Sequence, residues 1–180
     1  MAHDDAVEAR STAARHGPRS WLALLGWVAV AATAGAVGAI ASRDAGAFYG
    51  ALAKPTWAPP GWLFAPVWSA LYVLMGVAAW LVWRARPATP ADRATRRRGL
   101  ALFVVQLGLN ALWTWLFFAW RQGALAFGEI VLLWLAVVVT TWHFGRVRPL
   151  AAWCLVPYLG WVSFAAALTW AVWQRNPSQL

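Results

Sequence analysis

Negative charge, sulfur and imidazole are all scarce in this chain. Six Asp and Glu residues stand against fifteen Lys and Arg in 180 residues, a formal net charge of +9. The single cysteine, Cys154, excludes an intramolecular disulfide and any cysteine-cluster metal site. Set in an apolar run, it reads as a small buried thiol. Of the three histidines, His3 and His16 lie in the polar N-terminal stretch and His143 closes an apolar run. No two share a helix face, so neither a zinc site nor a fixed haem-iron ligand is expected. A hydrolytic triad and a nucleotide-binding loop are also missing, so any chemistry would depend on a bound molecule. Polar surface is what the chain lacks most: 62% of its residues are hydrophobic and mean hydropathy is +0.55. Water-soluble globules average roughly 45–50% apolar residues, so this composition points to a membrane.

Five apolar windows are long enough to cross a bilayer: 21–42, 62–83, 100–120, 124–144 and 150–173. Each has about twenty residues, which at 1.5 Å per residue matches a hydrocarbon core of about 30 Å. The sequence therefore predicts an all-α membrane protein, a five-transmembrane-helix bundle over 21–176. It is flanked by a polar, disordered tail at 1–20 and a short tail at 177–180. The 121–123 and 145–149 breaks are so short that spans 3, 4 and 5 must run antiparallel in succession. A cleaved signal peptide is not expected, because the first span is long and follows a polar tail.

Basic residues set the orientation. Arg10, Arg15, Arg19, Arg84, Arg86, Arg93, Arg96, Arg97, Arg98, Arg146 and Arg148 fall on one side of a five-span path; Arg43, Lys54, Arg121 and Arg175 fall on the other. Eleven against four predicts the N-terminus inside and the C-terminus outside. Arginines that flank apolar runs in this way mark topology, not a nucleic-acid partner. The triple arginine at 96–98 reads as an anchor that meets anionic lipid. A multi-pass protein of a bacterial-type cell membrane is the expected setting, with an organelle membrane as the alternative.

Residues 54–68, KPTWAPPGWLFAPVW, carry four prolines and three tryptophans and lead into the second span. Proline cannot extend a helix, so this is a stiff, irregular, aromatic connector. Irregular backbone beside lipid must be buried in protein or line a cavity, which makes the connector a cover for something. Within the spans, Gln106, Asn110 and Thr114 follow one another at four-residue spacing on one face of span 3. Buried amides serve either as interhelical hydrogen-bond partners or as ligand contacts, and Trp113 beside them suggests a pocket wall. Glu129, five residues into span 4, either snorkels to the interface or is hydrogen-bonded inside. Pro157–Tyr158 interrupts span 5, as a packing kink or as part of a pocket. Trp161 follows one turn later, ahead of the small residues Ala165, Ala166 and Ala167.

Sixteen tryptophans need sorting. Trp21, Trp62, Trp80, Trp83, Trp120, Trp142, Trp153, Trp170 and Trp173 lie near span ends, where indole favours the membrane interface. Trp27, Trp68, Trp113, Trp115, Trp134 and Trp161 are deeper. Trp68 and Trp161 stand beside proline irregularities and are the prime ligand-facing candidates, with Trp57 in the connector as a lid. In span 1, Ala31/Gly35/Ala39 and Ala34/Gly38 form small-residue faces that suit close packing, within the bundle or between protomers.

FYGALAKPTWAPPGWLFAPVWSALYVLMG (48–76), QLGLNALWTWLFF (106–118) and VPYLGWVSFAAAL (156–168) resemble the tryptophan-rich sensory protein family, TspO/MBR, whose animal members are the translocator proteins. The resemblance spans roughly residues 21–176. It implies a five-helix bundle, commonly a homodimer, with one pocket opening toward the loop between spans 1 and 2. The ligands it implies are porphyrins such as protoporphyrin IX, haem and, in animals, cholesterol and synthetic drugs; no cofactor is required. Trp57, Trp68, Asn110, Trp161 and Ala165 match the family's pocket motif, and Pro157 and Tyr158 its fifth-helix break. Thr169 stands where many relatives have asparagine. The segment LTWAVWQR lacks the tyrosine of the sterol-recognition pattern, which weakens the case for cholesterol.

The expected function is a membrane sensor or transporter that binds a tetrapyrrole. Its disc would lie against indole faces, Asn110 would meet a polar edge, and Arg43, Lys54 or Arg121 would pair with the propionates. One alternative is light- and oxygen-dependent porphyrin degradation, with Trp68 and Trp161 as electron partners. Others are a regulatory scaffold or a sterol-binding protein. No metal site and no nucleic-acid partner are expected; lipids are the surroundings.

The charge asymmetry carries its own test. In a Cys154→Ala background, a cysteine introduced at Ser178 should react with a membrane-impermeant thiol reagent in intact cells, and one at Ala88 only after lysis. The reverse pattern would overturn the orientation.

Overall fold

The computed structural model describes residues 18–180; the part of the expected N-terminal tail up to residue 17, with His3, His16, Arg10 and Arg15, lies outside the described residues. Helices α1 (Pro18–Ala41), α3 (Phe64–Trp83), α4 (Pro90–Thr114), α5 (Gly123–Val147) and α6 (Pro149–Arg175) are long; α2 (Ala45–Ala51) is short, and no strand is found among the described residues. A 3₁₀ turn, Gly61–Leu63, leads into α3, and a π-helical turn, Trp115–Ala119, ends α4. Five stretches are long and apolar enough to span a bilayer: Ser20–Ala41, Gly61–Trp83, Pro90–Ala119, Gly123–Val147 and Pro149–Arg175. The chain is therefore a multi-pass, all-α integral membrane protein.

Each expected boundary lies within three residues of the observed one, with the exception of the start of the third span. There the helix begins at Pro90, ten residues before the apolar run. Hydropathy cannot register those turns, because they are held by polar chemistry. Thr89 Oγ1 accepts from the Asp92 N–H at 3.1 Å, and an Asp92 carboxylate oxygen accepts from the Thr89 N–H at 3.3 Å, closing a capping box with proline in the first turn. The Arg96 guanidinium then donates to the carbonyls of Trp83 (3.2 Å) and Ala85 (3.0 Å), which satisfies the end of α3. Arg96 is thus a structural cap, while Arg97 and Arg98 stay exposed.

A second difference concerns span 5. Proline at 157 removes one backbone hydrogen bond, yet α6 continues as helix from Pro149 to Arg175. Neighbouring helices support it: Leu155, Tyr158 and Val162, on either side of the proline, are all buried.

The long helices close into a ring. In order of contact the neighbours are α1, α3, α6, α5 and α4, and α4 returns to α1. Two close approaches fix the α1–α3 crossing. A Cβ added to Gly76 would lie 2.6 Å from the Val28 Cα, and one at Gly35 would lie 2.5 Å from the Tyr72 ring. A Cβ at Gly38 would meet the Thr114 hydroxyl at 3.2 Å. The small-residue face of span 1 therefore packs within the chain, against α3 and α4. The outward faces carry the large apolar side chains suited to lipid, among them Leu22, Leu25, Leu125 and Trp153.

Because the obstacle at Gly76 is backbone, a side chain there cannot be accommodated by a rotamer change. Gly76→Val should cost about 1–3 kcal/mol and lower the thermal unfolding midpoint in detergent. Gly26→Val on the same crossing pair, where nothing lies within 4 Å, should be close to neutral. Equal midpoints for the two variants would refute this packing.

Candidate functional site

The centre of the ring is polar. Gln106, Asn110 and Trp113 fall on the buried face of α4 at i, i+4 and i+7, and all three are at least nine-tenths buried. Each amide oxygen is met by a tyrosine from a different helix. Tyr72 of α3 donates to Asn110 Oδ1 at 2.7 Å, and Tyr158 of α6 donates to Gln106 Oε1 at 2.8 Å. The Gln106 amide nitrogen faces the Met75 sulfur at 4.0 Å, a weak acceptor. Interhelical bonding thus accounts for both oxygens. Among the described residues, Asn110 Nδ2 and the indole nitrogens of Trp113 and Trp161 meet no acceptor.

Above this centre, on the side of the connector, lies a cavity of about 320 Å³. Gly35, Gly38, Ala39 and Ser42 of α1 form one wall. Phe64, Ala65, Trp68 and Tyr72 of α3 form another, and Trp113, Thr114 and Phe118 a third. Tyr49 of α2 closes the top. The glycines matter because an absent Cβ leaves the space that the rings border. The lining is aromatic and apolar, with the Ser42, Thr114 and tyrosine hydroxyls as its few polar points, a composition suited to a flat hydrophobic ligand.

Trp68 is the partition of the site. Tyr72 stacks on it at 5.6 Å between centroids on the cavity side. On the α6 side Tyr158 meets it edge-on at 6.2 Å and Trp161 at 6.5 Å. The expected site residues accordingly fall into two groups. Trp68 and Trp113 line the cavity, and Asn110 touches it through Tyr72. Tyr158 and Trp161 lie behind Trp68 on α6, where Trp161 also meets Phe64 of the cavity wall edge-on at 5.9 Å, and Ala165, one turn further along α6, does not line the cavity. Trp57 is half exposed and sits edge-on to Phe164 of α6 at 5.8 Å, beside the cavity and not over it.

The three expected cations differ in availability. Lys54 Nζ donates to the carbonyls of Tyr49 (2.6 Å), Leu52 (2.9 Å) and Gly50 (3.1 Å), so all three of its protons cap the end of α2. Arg121 lies over the Phe48 ring at 4.8 Å, with its own backbone in the left-handed region at φ 54°. Arg43 is exposed and next in sequence to Ser42 of the cavity wall, without itself lining the cavity.

Glu129 turns into the bundle, where it is 8% exposed and neither carboxylate oxygen meets a hydrogen-bond donor among the described residues. It does not line the cavity. His143 and Cys154 stand apart from it as well, and the described residues contain no group of three His, Cys, Asp or Glu able to hold a metal ion.

Tyr49, Tyr72, Phe64 and Phe118 were not singled out from the sequence. Tyr72 had a legible signal, since it follows Trp68 by one helical turn on the same face. Tyr49 had none before the connector was folded: its hydroxyl donates to the Pro59 carbonyl at 3.1 Å and its ring meets Phe64 edge-on at 5.4 Å. Burial raises the Tyr49 phenol above its ordinary pKa, which keeps it a donor.

Comparison with known proteins agrees with this architecture. Residues 27–174 match the model of the TspO/MBR family. The chain is 42% identical to protein CrtK of Rhodobacter capsulatus, over 82% of this chain and 89% of that protein. It is 36% identical to the translocator protein of Ovis aries, over 87% and 91% of the two chains. It is 33% identical to the tryptophan-rich sensory protein of Cereibacter sphaeroides, over 87% and 92%.

The Gln106–Tyr158 bond is buried from both sides and tests how the polar centre holds the ring. Tyr158→Phe and Gln106→Leu should each destabilise the bundle. Their double variant should cost less than the sum, with a coupling of about 0.5–1.5 kcal/mol. Strict additivity in reversible unfolding would show that the pair contributes nothing.

Proposed function

The chain belongs to the TspO/MBR family, and on that premise we propose that it is a membrane sensor or transporter that binds a planar tetrapyrrole, protoporphyrin IX or haem, in the cavity bordered by Trp68. The observation that carries this reading is the cavity itself: an aromatic-walled space between α1, α3 and α4, closed by Tyr49, with the exposed Arg43 next in sequence to Ser42 of its wall. An indole face at Trp68 and the Trp113 ring offer stacking surface to a conjugated disc. The Ser42 and Thr114 hydroxyls offer polar contacts at the edge, and Arg43 offers a partner to a carboxylate that points outward.

Size adds a condition. At about 320 Å³ the cavity lies at the low end of the range for small-molecule sites, about 300–1,000 Å³. A whole tetrapyrrole requires it to widen. The wall with least burial is α1, and Trp68 and Phe64 are the cavity rings that meet the α6 aromatics, Trp68 at Tyr158 and Trp161 and Phe64 at Trp161. A rotation of Trp68 would join the two groups of residues into one site. The names of two relatives, translocator protein and tryptophan-rich sensory protein, supply the two roles such binding would serve.

A second reading is favoured by one arrangement. Trp161, Trp68 and Tyr72 form a contact chain with centroid spacings of 6.5 and 5.6 Å. Such a chain suits electron transfer from protein to an excited pigment, the step on which light- and oxygen-dependent porphyrin degradation would rest. Illumination of the complex in air should then bleach the porphyrin band faster than in protein-free detergent, and more slowly in Trp68→Phe. Equal rates with and without protein would dispose of this reading.

Binding itself is testable by fluorescence. Titration with protoporphyrin IX in nanodiscs should quench tryptophan emission saturably. Trp68→Phe should weaken affinity about 3- to 10-fold, and Trp161→Phe less, since it lies behind the partition. No saturable quenching in the wild-type protein would defeat the proposal, and a loss confined to Trp161→Phe would move the site to the α6 side.

A further inference from the structure

Asn176 ends α6 and is 4% exposed although it lies beyond the last helical turn. All of its side-chain hydrogen-bonding capacity at nitrogen is used. Oδ1 accepts from the Ala53 N–H at 2.9 Å, while Nδ2 donates to the Ala53 carbonyl at 2.9 Å and to the Val172 carbonyl at 2.7 Å. Two of these bonds form a closed pair with the backbone of one residue, 123 positions away. The backbone of Asn176 is fixed too, because its carbonyl accepts from the N–H groups of Gln179 (3.0 Å) and Leu180 (3.1 Å). Leu180 in turn packs at Gly123, where an added Cβ would lie 2.9 Å from the Leu180 Cβ. The end of α6 is therefore tied down by hydrogen bonds and packing on the connector side of the bundle.

Ala53 belongs to the connector, between the buried residues Leu52 and Pro55. Elsewhere the connector is mostly stapled to itself: Lys54 caps α2, and Tyr49 holds the Pro59 carbonyl. A carboxamide sets an acceptor oxygen and a donor nitrogen side by side, which matches the N–H and C=O of one backbone residue. An aspartate would set a carboxylate oxygen against two carbonyls, and an alanine would leave the connector's N–H and C=O without partners.

We propose that Asn176 is a latch: the Ala53–Asn176 pair holds the 52–60 segment against α6, that segment's Pro59 carbonyl holds the cavity-lining Tyr49, and opening of the pair controls ligand exchange at the cavity. Asn176 is a positioning residue, since it touches no cavity wall. The connector opens by breaking the two Ala53–Asn176 hydrogen bonds and parting Trp57 from Phe164, with α1 and α3–α6 left folded. The exchange role rests on the proposed cavity site; the latch itself does not.

The test has two arms on the full-length protein in nanodiscs. In the first, amide hydrogen exchange is followed without ligand. Asn176→Asp and Asn176→Ala should speed exchange in peptides covering 49–60 by about tenfold or more, with protection of α3–α6 unchanged. Unchanged exchange at 49–60 would overturn the latch, as would loss of protection throughout the bundle in both variants. In the second arm, release of bound protoporphyrin IX is timed by recovery of tryptophan emission, and the off-rate should rise about tenfold in Asn176→Asp at an unchanged unfolding midpoint. A loosened connector with an unaltered off-rate would overturn control of exchange. Absence of protoporphyrin binding in the wild type would defeat the cavity reading and leave the exchange arm to decide the latch. As a further variant, Ala53→Cys/Asn176→Cys in a Cys154→Ala background should slow release when oxidised and recover on reduction. An off-rate that ignores the redox state of this cross-link would also overturn the proposal.

Discussion

Two carboxamides on α4 need partners that a bilayer does not supply, and the arrangement of the ring follows from that need. An unpaired amide in hydrocarbon is costly, and the chain answers with a tyrosine from each of two other helices, Tyr72 to Asn110 and Tyr158 to Gln106. Each bond constrains rotation of both helices that it joins. α3 and α6 are thereby oriented with their aromatic faces inward, which brings Trp68, Tyr158 and Trp161 into contact. Without a hydrophobic driving force between helices in lipid, such directed contacts and close packing select one arrangement.

Small residues do the complementary work. Gly35 admits the Tyr72 ring, Gly38 lies against Thr114, and Gly76 lets α1 and α3 touch backbone to backbone. The same absence of side chains on α1 opens the space between it, α3 and α4. The polar centre and the cavity are linked through Tyr72, which donates to Asn110 with its hydroxyl and walls the cavity with its ring. The connector beside this space is held by local staples at Lys54 and Tyr49, and to α6 by the Asn176 tie and the Trp57–Phe164 contact.

Much of this was legible in the chain. The five spans follow from apolar length, and the short breaks at 121–123 and 145–149 dictate antiparallel neighbours. The connector announces itself by four prolines beside three tryptophans, and the amide face of α4 by its four-residue spacing. The polar first turns of α4 were hidden from hydropathy, because a capping box and the Arg96 cap hold them. The role of Lys54 was equally hidden: a lone cation beside a proline-rich loop offers its charge to a ligand on paper, whereas in the fold its three protons go to carbonyls.

Sequence by itself determined that the chain is a five-span helical membrane protein with an aromatic connector, since periodicity, length and proline placement are local properties that bilayer thickness and backbone hydrogen bonding convert directly into structure. Tertiary structure alone decided which tryptophans share a space. Trp68 and Trp113 border the cavity, Trp161 stands behind Trp68, and Trp57 rests on Phe164, whereas the sequence paired Trp68 with Trp161 as ligand-facing and offered Trp57 as a lid. It also decided that Asn176 meets Ala53 across 123 residues. Such pairings depend on helix rotation and crossing, which are set by many weak contacts at once, and no window along the chain contains both partners.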